Sequence, residues 1–591
     1  MNQTPSMRLA FIALIALCCS ILIHAEDHCI RGQTYTLKKN GINRVDFLSQ
    51  KCVDSLKTRI VPACPPAPGP APVLVVPSQN PNAIAGAFFP TTTTSNSLVA
   101  PPQTIGTTFV AGDQSSNAGW TKTPPETMAS VGPQQIVAAL NPAITSFTKA
   151  GVRDNVLNVE PSSFLNLDGD FNTIADMFEP SIYFDSQSSR WYYIALNANP
   201  NGTIRGNNGF SIAVSSSSVL TSATTWTVVN IFNATLVPDE NGCPGDQNLF
   251  FAYPTLGVDS NALYTSFAMF DVNGNYLTST AFVIQKKSLL NPGPVFVTVF
   301  RDVVGDVGDE YPYREASSVL TPAINFDTNP QFGYYLATDP MLFGKLNLYR
   351  VINPGSTSPT LSPAVGINVL ETSSSAVPSV PFMGNLFGNL GVLKLSDDRI
   401  RSPIIRNGQL YATQTIMVNA SGIADTTIGD PAARSAARWY QLSLNGAGTE
   451  TATTVPTLIQ AGTLFDNAPS NPLWYNMPSL MVNSNGDLAM GFTVSSNLIP
   501  TSAGFVGRIS SDPLGSLRIG NPPPSTYAVG SGQYSRALGL GTPPAHGSLG
   551  QPWGSYSSTS LDPSDSLTMW TIQELANNSL EQVVVAQLIA P

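Results

Sequence analysis

The sequence predicts an all-β fold: a six- or seven-bladed β-propeller with long inter-strand loops, preceded by a small Cys-bearing N-terminal segment. Three observations predict it. The first is a returning unit, in which a short apolar strand carrying Pro-Ser or similar is followed by a turn rich in Asp, Asn and Gly and then by an aromatic strand. It appears as EPSIYFDSQSSRWYYIAL from Glu179, YPTLGVDSNALYTSFAMF from Tyr253 and RSPIIRNGQLYATQTIMV from Arg401. It returns as MPSLMVNSNGDLAMGFTV from Met477 and SYSSTSLDPSDSLTMWTI from Ser555. Such a unit cannot bury its own apolar face and must stack on its neighbours. The second observation is spacing. Pro180 to Pro254 is 74 residues, Pro403 to Pro478 is 75, and Pro254 to Pro403 is 149, the length of two units. The third is turn chemistry, with Asn273-Gly274, Asn407-Gly408, Asn485-Gly486 and Asp562-Pro563 between Val/Ile/aromatic strands. Helical windows are few, and Val131 to Leu140 is the one short candidate. Two β-sandwiches in tandem are the competing architecture.

The N-terminus reads as a signal peptide over residues 1–25. Arg8 supplies the charge, Leu9 to Ile23 the apolar core, and Ile23-His24-Ala25 the cleavage site. The apolar run is shorter than the roughly 20 residues a membrane span needs, so it reads as a signal rather than an anchor, and with no other stretch able to cross a bilayer no span is expected in the mature chain. Residues 26–64 form a Cys-bearing head, and 65–104 a Pro-rich spacer and Ser/Thr/Asn-rich linker. Residues 105–591 form the propeller. Cys29, Cys52, Cys64 and Cys243 remain after cleavage, an even number in an oxidising compartment, and two disulfides are expected with three pairings open. Asn201, Asn233, Asn419 and Asn577 head glycosylation sequons. The chain is thus read as a secreted or cell-surface glycoprotein.

Charged residues make up only 11% of the chain, against about 25% in typical soluble domains. The polar coat must therefore come from Ser, Thr, Asn and Gln. A net charge of −10 argues against a nucleic-acid partner.

Several segments together resemble a family of large secreted β-propeller proteins known mainly from bacterial genomes. TPPETMASVGPQQIVAALNPAITSFTKAG, from Thr123, resembles that family's Val-Gly-Pro entry motif, with Glu126 where Asp is usual. In FEPSIYFDSQSSRWYYIAL, Glu179 again replaces Asp. MPSLMVNSNGDLAMGFTVSS, from Met477, resembles its Asn-Gly-Asp blade motif. WGSYSSTSLDPSDSLTMWTIQEL, from Trp553, resembles its closing motif, with Ser555 at an Asp position. The resemblance covers roughly residues 105 to 590. It implies the propeller fold but no reaction, since such proteins mostly lack an assigned activity.

Candidate chemistry follows from residue types. Glu179, Asp185, Asp259, Asp309, Glu310, Glu315, Asp562 and Glu574 are acids at blade motifs, and a glycosidase needs a carboxylate pair. The bland reading is that Asp185, Asp259, Asp487 and Asp562 shape turns. Asp168, Asp170, Asn172, Asp176 and Glu179 stand in a calcium-loop register and suggest Ca²⁺, although Thr173 replaces the turn Gly. Asp302, Asp306, Asp309 and Glu310 form a second acidic cluster. Trp474, Tyr475, Trp553 and Tyr556 are candidates for stacking on sugars, with core packing the alternative. His546, in a Pro/Gly-rich loop, is poorly placed for a Ser-His-Asp triad. The favoured expectation is a non-catalytic surface binder of an extracellular glycan or protein. The alternatives are a carbohydrate-active hydrolase or lyase with carboxylates at the axial face, and a structural wall component. The enzyme expectation requires two or more carboxylates to converge in one axial pocket.

Overall fold

The structure is a computed structural model. It describes residues 30–31, 33–37, 78–84, 90–91, 101–114, 122 and 124–591, apart from 166–175, 199–208, 233–249, 271–275, 305–318, 374–379, 382–391, 394–397, 426–432, 446–448, 521–524, 533, 535–552 and 579. Among the described residues the fold is nearly all β, and its antiparallel sheets follow one another along the chain.

Sheet A is Met128–Val131, Gln135–Ala139, Ile144–Thr148 and Arg153–Val159. Sheet B is Asp176–Asp185, Arg190–Ala198, Gly209–Ser215 and Trp226–Phe232. Sheet C is Phe250–Val258, Ala262–Phe270, Tyr276–Gln285 and Val295–Val304. Sheet D is built from Thr321–Pro322, Phe332–Thr338 and Lys345–Ile352, with Thr360–Leu361 and Val365–Asn368 both on the last of these. Sheet E is Arg401–Arg406, Gln409–Val418, Arg434–Ser443 and Thr457–Leu464. Sheet F is Trp474–Val482, Leu488–Ser495, Ser502–Arg508 and Ser525–Ala528. Sheet G is Ser558–Leu561, Met569–Asn577 and Leu580–Ile589, and its fourth strand is Thr104–Asp113 from the other end of the chain.

The first strand of each sheet packs against the first strand of the next, and that of G packs against that of A. This cyclic order is the arrangement of a β-propeller, with the first strands innermost. The core is divided into sectors between neighbouring sheets. Trp191 and Tyr193 fill the sector between A and B; Phe210, Phe267 and Phe282 fill that between B and C. Tyr264 and Tyr335 lie between C and D, and Trp570 and Ala138 between G and A. Most inner and middle strands are thus covered on both faces, so continuous apolar runs replace clean alternation. That explains Val131 to Leu140, where the expected helix is a hairpin turning at Gly132-Pro133. A methyl group on Gly132 would lie 2.2 Å from the Trp191 ring, which fixes glycine at that turn.

The inner strands carry a repeated distortion. Register shifts fall between Phe178 and Ser181, Ala252 and Thr255, Arg401 and Ile404, and Asn476 and Ser479. Inside each bulge one non-glycine residue has positive φ: Glu179 (50°), Tyr253 (56°), Ser402 (49°) and Met477 (48°). Each is followed by proline. Glu126, just before the first strand of A, has φ 52° as well. A bulge re-aims a side chain that a regular strand would alternate away, and such strain gathers at functional sites.

Serine and threonine hydroxyls satisfy the exposed edges of the inner strands. Ser558 Oγ accepts the Ala129 N–H at 3.0 Å, and Ser560 Oγ accepts that of Val131 at 3.2 Å. Ser130 Oγ accepts the Phe184 N–H at 2.9 Å. The Asp-rich turns cap the hairpins at the other end of these strands. Asp185 accepts the N–H groups of Gln187 and Ser188, Asp259 those of Asn261 and Ala262, and Asp562 that of Ser564. Asp487 accepts the Ser510 N–H. These acids shape turns, as their turn-residue character suggested.

Strands from the head add to outer edges. Gln33–Leu37 pairs with Val295–Val304, and Ile30–Arg31 with Thr360–Leu361. Cys29, Cys52, Cys64 and Cys243, with the sequons at Asn201 and Asn233, lie outside the described residues. Asn419 sits at a turn, its Oδ1 accepting from Ser421 and Ile423, and Asn577 closes a strand of sheet G. No helix among the described residues is long and apolar enough to cross a membrane.

Candidate functional site

The bulges place their residues at one end of the ring axis, where an axial cavity of about 110 Å³ opens. Arg399, Arg401, Ser402 and Tyr556 line it at that end, and Ser181, Thr255, Ser558 and Ser560 line its wall.

Glu126 and Glu179 lie together beside this mouth, though neither lines the cavity itself. Glu126 is 5% exposed, and its Oε2 accepts the Ser555 N–H at 2.6 Å. Glu179, half-buried, accepts the Tyr253 N–H at 2.7 Å and the Tyr556 hydroxyl at 3.3 Å. Its own N–H donates to Asn141 Oδ1 at 2.7 Å, tying it to sheet A. The Arg399 guanidinium lies 3.8 Å from the centre of the Tyr253 ring and 5.9 Å from that of Tyr556. Arg401 Nη1 donates to the Ser555 carbonyl, so both sides of that residue are held.

Burial raises Glu126 to about 8, helped by the negative charge of Glu179 and more weakly by Glu581, and opposed by the Ser555 N–H and by Arg399. Burial raises Glu179 too, but Arg399, the Tyr253 N–H and the Tyr556 hydroxyl all favour its charged form. Two acids close together do not ionise together, and Glu179 has more hydrogen bonds to its carboxylate. Glu179 is therefore the one that ionises first.

One segment serves four acids in succession. In the stretch Trp553 to Tyr556, the Tyr556 hydroxyl donates to Glu179 and the Ser555 N–H to Glu126. Glu574 lies against Gly554, where an added methyl group would sit 2.2 Å from its Oε2, and the Gly554 N–H faces it. Trp553 packs edge-on against Tyr534 at 5.0 Å, and the Tyr534 hydroxyl donates to Glu581 at 2.5 Å. Glu574 is held well above the usual carboxylate range by burial, Glu581 and Glu126.

Of the residues proposed from sequence, Glu179, Glu574 and Tyr556 are brought into this cluster. Trp553 packs with Trp474 in one apolar cluster, and Tyr475 lies in another, 1% exposed. Asp185 pairs with the buried Lys286 at 2.5 Å and Asp259 bonds the Tyr264 hydroxyl, both away from the mouth. Asp168, Asp170, Asn172, Asp306, Asp309, Glu310, Glu315 and His546 lie outside the described residues. Asp176 opens the first strand of sheet B, and Asp302 is exposed on the outer strand of sheet C. No group of three or more metal-ligating side chains occurs among the described residues. Arg399 and Glu581 were not singled out from sequence.

No protein-family model matches the chain, and no curated protein matches it. Solved structures of β-propellers do. Trypanosoma rangeli sialidase in complex with the inhibitor DANA aligns at 9% identity and a TM-score of 0.31, over 83% of this chain and 60% of that one. A Hadza microbial sialidase aligns at 9% identity and 0.33, over 77% and 73%. The Cellvibrio cellulosa α-L-arabinanase complexed with arabinohexaose aligns at 12% and 0.26, over 56% and 94%. The chain thus spans about three fifths of the length of the T. rangeli enzyme.

Proposed function

We propose that this is an extracellular, seven-bladed propeller that hydrolyses glycosidic bonds at its axial mouth. The observation that supports this reading over non-catalytic binding is the convergence of Glu126 and Glu179 beside a cavity lined by Arg399 and Tyr556. Paired carboxyls whose environments separate their proton affinities suit acid–base cleavage. In this reading Glu126 retains its proton near neutrality and delivers it to the glycosidic oxygen as the carbon–oxygen bond breaks. Glu179 takes a proton from the attacking water, and its hydrogen bond to Tyr556 keeps it at the cavity. Arg399 orients polar groups of the sugar.

A second reading is favoured by the depth of Glu126 and by the hydroxyl-rich wall: a glycan is held there without conversion. Ca²⁺ bound by Asp168, Asp170, Asn172, Asp176 and Glu179 is a competing proposal, since it would take the Glu179 carboxylate that the hydrolase reading uses. A glycan array read by mass spectrometry, with residues 26–591 in Ca²⁺ and then in chelator, tests all three. A mass change lost in Glu179→Gln supports hydrolysis. Retention of unaltered glycans overturns it in favour of binding, and chelator-sensitive retention supports the metal. No retention and no mass change overturns both glycan readings.

A further inference from the structure

The axial cavity changes character along the inner strands. The bulge residues Glu179, Tyr253, Ser402 and Met477 mark its mouth. Beyond them on the same strands come Tyr183, Leu256, Ile404, Leu480 and Met481, and all five line the cavity. At roughly 3.3 Å per strand residue, Tyr183 lies about 13 Å further along than Glu179. Tyr183 and Leu256 are only half-buried although they sit on innermost strands.

The far end is crossed by Ile324–Asn325, which pairs in parallel with Val258 of sheet C and with Ile404 and Ile405 of sheet E. Half-buried Ile324 faces the cavity from there. Hydroxyls of the wall are engaged between neighbouring sheets. Ser557 Oγ donates to the Met477 carbonyl at 2.6 Å, Thr559 Oγ1 to that of Ser479 at 3.1 Å and Thr321 Oγ1 to that of Ile400 at 2.8 Å. A hydroxyl has one proton to give, so these three offer an entering group no donor. Among the described residues that line the cavity, Arg399 and Arg401 are the charged ones, and both stand at the mouth.

A polar mouth thus opens onto an apolar chamber. A charged group entering it would lose its hydration without replacement. An apolar cavity of about 150 Å³ takes benzene or xenon. At about 110 Å³, this one suits something smaller than benzene. We propose that the chamber is a subsite for a short uncharged acyl group, of about two to four carbons, carried by the glycan at the mouth. Leu256, Ile324 and Met481 cover the alkyl end of that group, while Arg399 and Arg401 keep the polar sugar above it. The glycan rests on the reading of the mouth given above; the chamber does not.

Two probes test this. Xenon reports on the chamber alone, followed by ¹²⁹Xe NMR shift titration. Leu256→Phe projects bulk from a half-buried position and should weaken the axial xenon site by about tenfold or more. Ile324→Phe, from another sheet, replaces it should that variant not fold. The cavity beside Phe164 and Trp226 is left alone by both changes and supplies the same background binding throughout. The second probe is an array of glycan pairs that differ only in an acetyl or butyryl group. Acylated members should be retained or converted by about tenfold or more over their partners, and Leu256→Phe should erase the difference. Equal xenon binding by the native protein and a folded variant overturns the chamber. Equal handling of both members of each pair, or a preference that survives Leu256→Phe, overturns its role toward acyl groups. Xenon binding lost in the variant of a protein that retains no glycan supports the chamber and overturns only the glycan reading of the mouth.

Discussion

Glu126 and Ser555 are 429 residues apart in sequence and 2.6 Å apart in space, the carboxyl of one accepting the backbone N–H of the other. The bond uses the main chain of Ser555, not its side chain. The contact to Glu126 therefore does not depend on the Ser555 side chain, whose hydroxyl adds no negative charge at the mouth.

Replacing either mouth glutamate should separate chemistry from folding. Glu179→Gln keeps size and hydrogen-bonding reach but removes the base, and turnover of any converted glycan should fall by about 100-fold or more. Single-turnover rates with near-UV circular dichroism as a folding control check this. Undiminished turnover in a folded variant excludes Glu179 as the base.

Stability should fall as pH rises. Glu126 in the folded protein holds its proton up to about 8, above its ordinary 4.5. Between those limits the unfolded chain has already released the proton that the folded chain keeps. Stability from this group is thus fully present below 4.5 and is lost progressively as the pH rises toward 8. Glu574, also raised, adds to the slope in the same direction. Thermal unfolding in buffers across this range should give a falling midpoint, and a rising one would contradict the burial of protonated acids.

Gly554→Ala should destabilise the protein, because the new methyl group would run into Glu574 Oε2 and the Glu574 side chain, 2% exposed, must move aside. Overpacking of this kind costs about 1–3 kcal/mol. Adding Glu574→Ala should recover part of that loss. Denaturant titration of the four proteins in a double-mutant cycle measures the coupling, and strict additivity would show that the two do not touch.

Ser130→Ala should loosen the axis rather than a surface. Ser130 is 1% exposed, accepts the Phe184 N–H at 2.9 Å and lies 3.4 Å from Ser560 Oγ. Its loss leaves a buried donor unsatisfied at a cost of about 1–3 kcal/mol. Hydrogen exchange should show the Phe184 amide exchanging faster in the variant, and unchanged protection would mean the bond contributes nothing.

The ring was legible because its bulge prolines recur at a nearly fixed spacing. The repeat skips a unit between Pro254 and Pro403, and the reason is visible in sheet D. Among the described residues its innermost strand is only Thr321–Pro322, with no register shift, so the periodic signal has little chain to reside in. Glu126 and Glu179 stood out as departures from a motif, but nothing local predicts that they meet, because the ring brings them together. The Glu574–Glu581 pairing was within reach of sequence, since the hairpin turn at Asn577-Asn578 sets both on one face. Trp474 and Tyr475 illustrate the opposite difficulty, for an aromatic in a turn-rich stretch reads the same whether it faces solvent or a neighbouring sheet.

The fourth strand of sheet G, Thr104–Asp113, is borrowed from near the start of the chain and hydrogen-bonds to the last strand, Leu580–Ile589. A ribosome makes Thr104–Asp113 long before Leu580–Ile589, so the ring stays open until the later strand has emerged. The axial cluster inherits that order: Glu126 and Glu179 are made well before Ser555 and Tyr556, their hydrogen-bond donors. Until that later segment is made the two mouth glutamates lack these donors, and the mouth assembles only as the ring closes.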